Sequence, residues 1–389
     1  MSNNVFVTDA QMRSSVAVIR SLGKKGLKVT AGEETKFATG FFSRYCKCRV
    51  VYPSPQKNRG QFVDFLIKVL KNERYDVLFP VADPCLEPII DEEEEISKYT
   101  HIALPPRKIF MRAYDKEVTL KIAIENGIPC PKTYFVNNLE EVNSIAGQLK
   151  YPVIIKPRKS SGRRGIEVCT TAKELLVKYR KVSVNHDKPL IQEYIPYGDE
   201  IGVYTLFNFN SEPVALTVQR RIRSYPPSGG PSTLRETIKN ELSRKIIKIA
   251  FKLLKTMKWI GVAMVEFRID PRDGIPKLME VNPRFWGSLQ LSILAGVDFP
   301  YLLYKMMMNE DIEPVFDYKE GIRCRWLLPG DILWFFSAPH KLKNLPEFFK
   351  FNTNYDIISL EDPMPTLGFI LATARYLFDK KMWKFVLRR

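Results

Sequence analysis

Residues 261–288, GVAMVEFRIDPRDGIPKLMEVNPRFWGS, hold two acids, Glu266 and Glu280, that a single hairpin would fold against each other. VAMVEFRID alternates apolar and polar residues, PRDGI supplies turn residues, and PKLMEVN resumes the alternation. Pairing Asp270 with Pro276 sets Glu266 opposite Glu280. Side chains alternate faces along a strand, so Asn282 shares the face of Glu280. Like charges directly opposite repel unless a cation lies between them. Two carboxylates and an amide oxygen are hard ligands suited to Mg²⁺, an ion that also holds phosphates. The competing reading is an exposed hairpin whose acids are solvated.

The rest of the chain places this hairpin in an α/β, more broadly α+β, architecture. In the first hundred residues the strand patterns VFVTDA, LKVTAGE and YDVLFPVAD alternate with the helix patterns SSVAVIRSLGKKG and FVDFLIKVLKNER, which implies a parallel sheet. No GxGxxG follows the first strand; Asp9 and Ala10 stand there, so a dinucleotide site has little support. From about Pro105 the pattern changes. DKEVTLKIAIENGIPCP reads as a helix capped by Asp115 and closed by Gly127. YPVIIKP and KPLIQEYIP read as strands, and ELSRKIIKIAFKLLKTMKWIG as an amphipathic helix leading into the hairpin. The last seventy residues are rich in aromatics and end in FDKKMWKFVLRR. They read as a packing appendage in preference to a segment lying on a membrane, because their helical stretches are short and broken by proline.

Composition narrows the partners. A chain of 389 residues has room for two or three domains, and 45% hydrophobic with 26% charged residues is ordinary for a soluble globular protein. A net charge of +17 favours anionic partners, although a basic surface kept for solubility explains it as well. The six cysteines include no CxxC, and the three histidines show no ligand spacing. Zinc is disfavoured and reduced thiols in a reducing compartment are expected. No signal-peptide pattern is visible, and the longest apolar runs are too short or too interrupted to span a bilayer. A cytoplasmic protein is expected, with peripheral membrane contact left open.

Two further segments complement the hairpin. In YPVIIKPRKSSGRRGIEV, Lys156 ends an apolar strand and is followed by Ser160, Ser161, Gly162 and Gly165, with Arg163 and Arg164 between the glycines. Glycine lets a backbone approach a phosphate closely and offer it N–H groups. No Walker pattern is present, and a plain hairpin turn explains the loop equally well. In IQEYIPYGDEIGV, Glu193 and the main chain at Tyr194 and Ile195 could read an adenine edge, and Glu200 could accept from ribose hydroxyls.

The IIKP strand, the SSGRRGI loop, QEYIP and LMEVNPRFWGS, in that order, resemble the ATP-grasp enzymes. The nearest likeness is to the carbamoyl-phosphate-synthase-like branch and the D-amino-acid ligases; it covers about residues 1–310 and is strongest over 105–290. The resemblance implies an ATP-grasp fold with a Rossmann-like, parallel-sheet pre-ATP-grasp domain over 1–105. An ATP-grasp domain would span 106–315, with a lid of about 130–197 and a catalytic part of about 198–315, and an appendage would fill 316–389. It implies a carboxylate–amine ligase that works through an acyl phosphate, with ATP and two Mg²⁺ ions as cofactors and Mn²⁺ as an alternative metal. Lys156 and Lys116 would contact the phosphates, and the loop from Ser160 to Gly165 would cover them. Glu193, Tyr194 and Ile195 would hold adenine between Ile154 and Met279, and Glu200 would bind ribose. Glu266, Glu280 and Asn282 would hold the metals, and Arg284 would stabilise the transferring phosphoryl group. The chain departs from carbamoyl phosphate synthase in carrying one module and no glutaminase, so that synthesis itself is doubtful.

At the substrate end, VQRRIRSYPPSGGPSTLRE carries Arg220, Arg221 and Arg223 before a lip formed by Ser228, Gly229, Gly230 and Ser232. Arginines pair with carboxylates and phosphates, and the matching region of carbamoyl-phosphate-synthase-like relatives faces the acceptor, so the resemblance implies that these residues and Ser288 bind it. The alternative is an ordinary surface loop. Arg221→Ala is expected to raise the acceptor KM while ATP binding persists. Small carboxylate and amine substrates are the expected partners, among them an amino acid, a peptide, a cell-envelope precursor or an anionic, lipid-linked carrier. Nucleic acid is disfavoured, and a homodimer is left open. Competing readings are an inactive ATP-grasp scaffold that binds an anionic polymer or membrane, and a kinase-like use of the same site.

Overall fold

The computed structural model describes residues 3–160, 162, 165–227, 229–338, 341–349 and 353–374. Three sheets organise it. The first holds β1 (Asn4–Val7), β2 (Lys28–Glu33), β3 (Cys46–Val51), β4 (Val77–Phe79) and β5 (His101–Ile102), in the order β3-β2-β1-β4-β5. All its pairings are parallel, as strands separated by helices require. Helix Arg13–Lys24 packs along it, burying Val16, Ala17, Ile19 and Leu22. The second sheet is small and antiparallel: β6 (Thr133–Tyr134), β7 (Val153–Lys156), β8 (Glu167–Cys169) and β9 (Leu190–Glu193), in the order β6-β9-β7-β8.

The third sheet contains the acid hairpin. Its strands are β10 (Glu200–Phe207), β11 (Pro213–Ser224), β12 (Ser232–Thr237), β13 (Gly261–Ile269), β14 (Pro276–Asn282), β15 (Arg323–Arg325) and β16 (Asn354–Tyr355), in the order β14-β13-β10-β11-β12-β15-β16. Helix Glu241–Thr256 carries a capping box, with Asn240 accepting from the Ser243 N–H and the Ser243 hydroxyl accepting from the Asn240 N–H. It buries Ile246, Ala250, Leu253 and Leu254. These side chains share one core with Val5, Val7 and Phe79 of the first sheet and Val203, Val218 and Val265 of the third. The first and third sheets are therefore held together by common apolar burial.

The hairpin register differs from the expected one at its turn. Ile269, not Asp270, pairs with Pro276, and the ladder shifts between Glu266 and Phe267, so Met279 is the extra residue of a bulge. Glu266 still faces Glu280 because the bulge absorbs the difference. Asp270 leaves the ladder to close the turn: its carbonyl accepts from the Gly274 N–H at 2.8 Å, and Gly274 takes φ +69°, a left-handed conformation that favours glycine.

Within residues 316–389, Arg323–Arg325 and Asn354–Tyr355 are strands of the third sheet. β15 pairs with β12, and β16 pairs with β15. Three buried aspartates fasten this segment. Asp331 meets Arg223 at 3.1 Å and Arg325 at 2.6 Å. Asp356 meets Arg13 at 3.0 Å and also Arg235, and Asp362 meets Arg20 at 2.9 Å. A buried charge is tolerated only when paired, and each of these aspartates binds arginines from the earlier part of the chain. No helix among the described residues is long and apolar enough to cross a membrane.

One buried acid, Asp9, has no arginine partner among the described residues. Burial pushes Asp9 up to about 6, against the hydrogen bonds from Thr8 and the Ala82 N–H. Asp9 sits at φ +56°, where asparagine is well tolerated. A carboxyl whose folded pKa is raised contributes stability at low pH that is lost as pH rises through the folded value. Wild-type stability relative to Asp9→Asn should therefore fall by roughly 3 kcal/mol between about pH 4 and pH 6, then level off. Denaturant unfolding of both proteins across that range measures it; a constant gap between them would assign the titration elsewhere.

Candidate active site

Sheet register lines up one polar face across four strands. Glu200 pairs with Arg268, and Arg221 stands one step beyond the Ile201–Arg220 pair, so Arg221, Glu200 and Arg268 form one row. The next row on that face is Gln219, Gly202, Glu266 and Glu280. The one after it runs Thr217, Tyr204, Met264 and Asn282. A strand repeats every two residues, so these rows project to the same side.

Electrostatics joins the rows. Arg221 donates to Glu200 and to Glu266, each at 2.7 Å. Arg268 pairs with Glu200 and donates to the Ile195 carbonyl at 3.2 Å. The Asn282 amide donates to Glu280 at 3.2 Å. Burial opposes the charge on Glu200, but Arg221 and Arg268 outweigh it and hold that carboxyl below the usual range. Burial also opposes the charge on Glu280, and Lys116 and Lys156 outweigh it there. Glu266 is raised, chiefly by burial and further by the facing Glu280, with Arg221 opposing the shift.

Two lysines reach this face from outside the third sheet. Lys156, the last residue of β7, is buried and donates to the Met279 carbonyl at 3.0 Å. That carbonyl belongs to the bulge residue. Burial brings Lys156 down to about 8, against the pull of Glu280. Lys116 begins a helix that Asp115 caps by accepting from the Glu117 N–H at 3.0 Å. Its ammonium lies 3.6 Å from Glu280 and donates to the Ser160 carbonyl. Ile154 stands two residues before Lys156 and is buried on the same face of β7. Gly162 and Gly165 both take positive φ, +62° and +74°, and a Cβ on Gly165 would meet Pro157 and His186. Ser161 lies outside the described residues.

The other expected site residues divide. The Glu193 carboxylate is held by Arg272 at 2.6 Å and by the Lys132 N–H at 3.2 Å. The Tyr194 N–H donates to the Pro152 carbonyl at 3.4 Å. Arg284 donates to Asp83 at 2.8 Å and to Asn282 at 3.3 Å, which sets it beside the acids. Arg220, Arg221 and Arg223 do not act as a cluster. Arg220 pairs with Glu236 near the surface, Arg221 enters the acid rows, and Arg223 is buried against Asp331 and lies 4.1 Å from the Trp334 ring centre. Alternation separates Arg220 from Arg221, and a register shift between Arg221 and Arg223 re-aims the third. The Gly230 carbonyl accepts from Arg221 at 3.4 Å, and a Cβ there would come within 2.1 Å of the Tyr225 carbonyl oxygen. Gly229 takes φ +113° in the same lip, and Ser228 lies outside the described residues. The Ser288 hydroxyl donates to Tyr204 at 3.4 Å, next to the acid rows.

Reading the sequence alone missed Asp83, Arg268 and Gly202. Arg268 follows Glu266 by two, so strand alternation could have found it. Asp83 opens a helix after β4, far from any site motif, and nothing local marks it as the partner of Arg284.

The family described as "ATP-grasp in the biosynthetic pathway with Ter operon" matches residues 186–328, and that described as "Carbamoyl-phosphate synthase L chain, ATP binding domain" matches residues 115–197. A D-alanine–D-alanine ligase from Carboxydothermus hydrogenoformans is 32% identical over 217 residues, covering 50% of this chain and 68% of that ligase. The chain belongs to the ATP-grasp superfamily of carboxylate–amine ligases. A D-aspartate ligase from Enterococcus faecium is 25% identical to this ligase over 311 residues, 74% of the one and 73% of the other. In fold, the biotin carboxylase of Campylobacter jejuni superposes with a TM-score of 0.70 at 16% identity, covering 82% of this chain and 74% of that one. The protein is thus an ATP-dependent ligase that forms C–N bonds, in a superfamily that uses ATP and Mg²⁺.

Asp83, the first residue of a helix that follows β4, pairs with Arg284 at 2.8 Å. Asp83→Asn should lower kcat for ADP release about tenfold or more while the KM for MgATP stays within about twofold. Steady-state kinetics checks the split, and a change confined to KM would make Asp83 a binding residue instead.

Proposed function

We propose that this ligase phosphorylates a substrate carboxylate with ATP and then joins the acyl group to an amine. The observation that carries the reading is the facing pair Glu266 and Glu280 with Asn282 beside them, met by Lys116 and Lys156 from other elements. The donor set, two carboxylates and one amide oxygen, suits two Mg²⁺ ions, with Mn²⁺ competent in their place. When bound, the ions neutralise phosphate charge. Lys116 and Lys156 then contact the phosphates, and Arg284 faces the charge that develops on the transferring group. Glu200 takes the ribose, and Glu193 with the main chain at Tyr194 and Ile195 takes the adenine between Ile154 and Met279. The loop from Ser160 to Gly165 closes over the phosphates. Residues 1–105, about 130–197 and about 198–315 serve as the pre-ATP-grasp, lid and catalytic units.

In this scheme a carboxylate oxygen attacks the γ-phosphorus and ADP leaves. The amine nitrogen then attacks the acyl carbon, phosphate departs, and the nitrogen loses a proton. Phosphoryl transfer relies on positioning and charge neutralisation, so no protein nucleophile is required. The names of the D-alanine and D-aspartate ligases favour an amino acid as one substrate. An ADP-release screen over pairs of amino acids tests this, beside Glu280→Gln. Turnover should require both partners, free phosphate should appear only with the amine, and the variant should lose about 100-fold or more in kcat/KM. Phosphate release without amine, with a phosphorylated product, would mean a kinase-like reaction.

Arg221 changes place in this reading. It bridges Glu200 and Glu266, so it belongs to the nucleotide end. Arg221→Ala should raise the KM for MgATP about tenfold or more and that for the acceptor far less. The opposite split, measured by varying each substrate in turn, would return Arg221 to the acceptor.

A further inference from the structure

Arg13 and Arg235 share one carboxylate. Arg13 reaches Asp356 at 3.0 Å, Arg235 also pairs with it, and neither arginine forms an ion pair with another acid among the described residues. Two guanidinium charges against one carboxylate leave a positive charge in excess, in a place where charge is tolerated only when paired. Burial opposes the charge on Arg235, but Asp356 outweighs it and holds that group above its usual value. Burial brings Arg13 down to about 10, with Asp356 opposing the shift and Arg235 adding to it. Arg13 also opens helix Arg13–Lys24, whose first turn holds no acid and no side-chain cap, so the helix dipole adds positive potential there.

Donors without acceptors gather around this excess charge. Arg13 donates only through Nη1, to Asp356 and to the Ser232 carbonyl at 3.3 Å. Its Nε and Nη2 have no acceptor among the described residues, and they lie 2.8 and 2.7 Å from where a Cβ on Gly287 would stand. Glycine at 287 therefore leaves this two-pronged edge uncovered by a side chain. The Arg235 Nε is also without an acceptor among the described residues, and Arg235 is 1% exposed. So is the buried Trp286 Nε1, whose ring centre lies 4.6 Å from that of Tyr204. Ser288 places its hydroxyl 3.4 Å from that of the buried Tyr204. The Tyr204 hydroxyl lies over Gly202, where a Cβ would come within 2.8 Å of it, and Gly202 pairs with Glu266. These donors thus adjoin the acid rows, and Gly287 and Ser288 follow Arg284 by three and four residues. Arg220, Arg221 and Arg223, expected to bind the acceptor, are each held by other acids.

We propose that this pocket holds the free carboxylate of the amine partner, which is then an amino acid joined through its nitrogen. The proposal rests on the ligase reading above. A single excess charge matches a carboxylate better than a dianionic phosphate, and paired N–H donors fit its planar oxygens. The carboxylate that is phosphorylated belongs with Arg284 and the lysines, so the one bound here is left unchanged by the reaction. Amino acids and their α-carboxamides, each offered as the amine partner in the ADP-release assay, test the proposal. In the wild type the KM should be at least about tenfold lower for the amino acid than for its amide. Arg13→Gln should raise the KM for the amino acid about tenfold or more, and the milder Tyr204→Phe about threefold, while the KM for the amide barely moves in either. An amide that serves the wild type as well as the acid would overturn the proposal, and so would variants that weaken both alike. A second arm needs no turnover. Sodium acetate in place of sodium chloride, at constant ionic strength, should raise the Tm of the wild type by about 1 °C or more beyond its effect on Arg13→Gln. An equal response in the two proteins would overturn the pocket. Stabilisation by acetate confined to the wild type, without turnover for any pair, would uphold the carboxylate pocket and count against the ligase reading alone.

Discussion

The structure turns on two carboxylates set opposite each other across one strand pair. Glu266 and Glu280 are Cα partners on β13 and β14, and each is largely buried. Such a pair is unfavourable unless positive charge is supplied. Here it comes from Arg221 on a neighbouring strand and from Lys116 at a helix start outside the third sheet. Lys156 comes from the second sheet and is tied to the bulge carbonyl beside Glu280. The repulsion within the acid pair is thus offset by elements that the three sheets bring together.

The same rule of paired burial governs the far end of the chain. Asp331, Asp356 and Asp362 carry the C-terminal segment onto the third sheet and onto helix Arg13–Lys24. Removing one partner from such a pair leaves an uncompensated charge in a dry place, which costs several kcal/mol, about 3–5 in typical cases. Arg13 shows how close the two regions lie. It pairs with Asp356, stacks over Trp326, and occupies the space that a Cβ on Gly287 would need. Gly287 is three residues from Arg284, so the packing of the C-terminal strands continues to the edge of the acid face.

Legibility followed the range of each interaction. The parallel sheet, the Asp115 cap, the Glu241–Thr256 helix and the Glu266–Glu280 pairing rest on patterns within some twenty residues. Strand period and turn chemistry suffice for those. The turn pairing was misplaced by one residue because a bulge at Met279 leaves no clear sequence mark. The arginine run divides for a related reason. Adjacent residues on a strand face opposite ways, and the partners of Arg223 lie more than a hundred residues downstream at Asp331 and Glu347.

The sequence by itself determined the units: which stretches become strands, where helices start, and that two acids and an amide share one face. Those follow from periodicity and capping, which act locally. Tertiary structure decided the use of each charge. Only packing of the first sheet against the third brings Asp83 to Arg284, and only sheet order puts Arg221 between Glu200 and Glu266. It also set Arg323–Arg325 and Asn354–Tyr355 as two further strands of the third sheet. A charge is stabilised by whatever lies within a few ångströms, and distance along the chain says little about that.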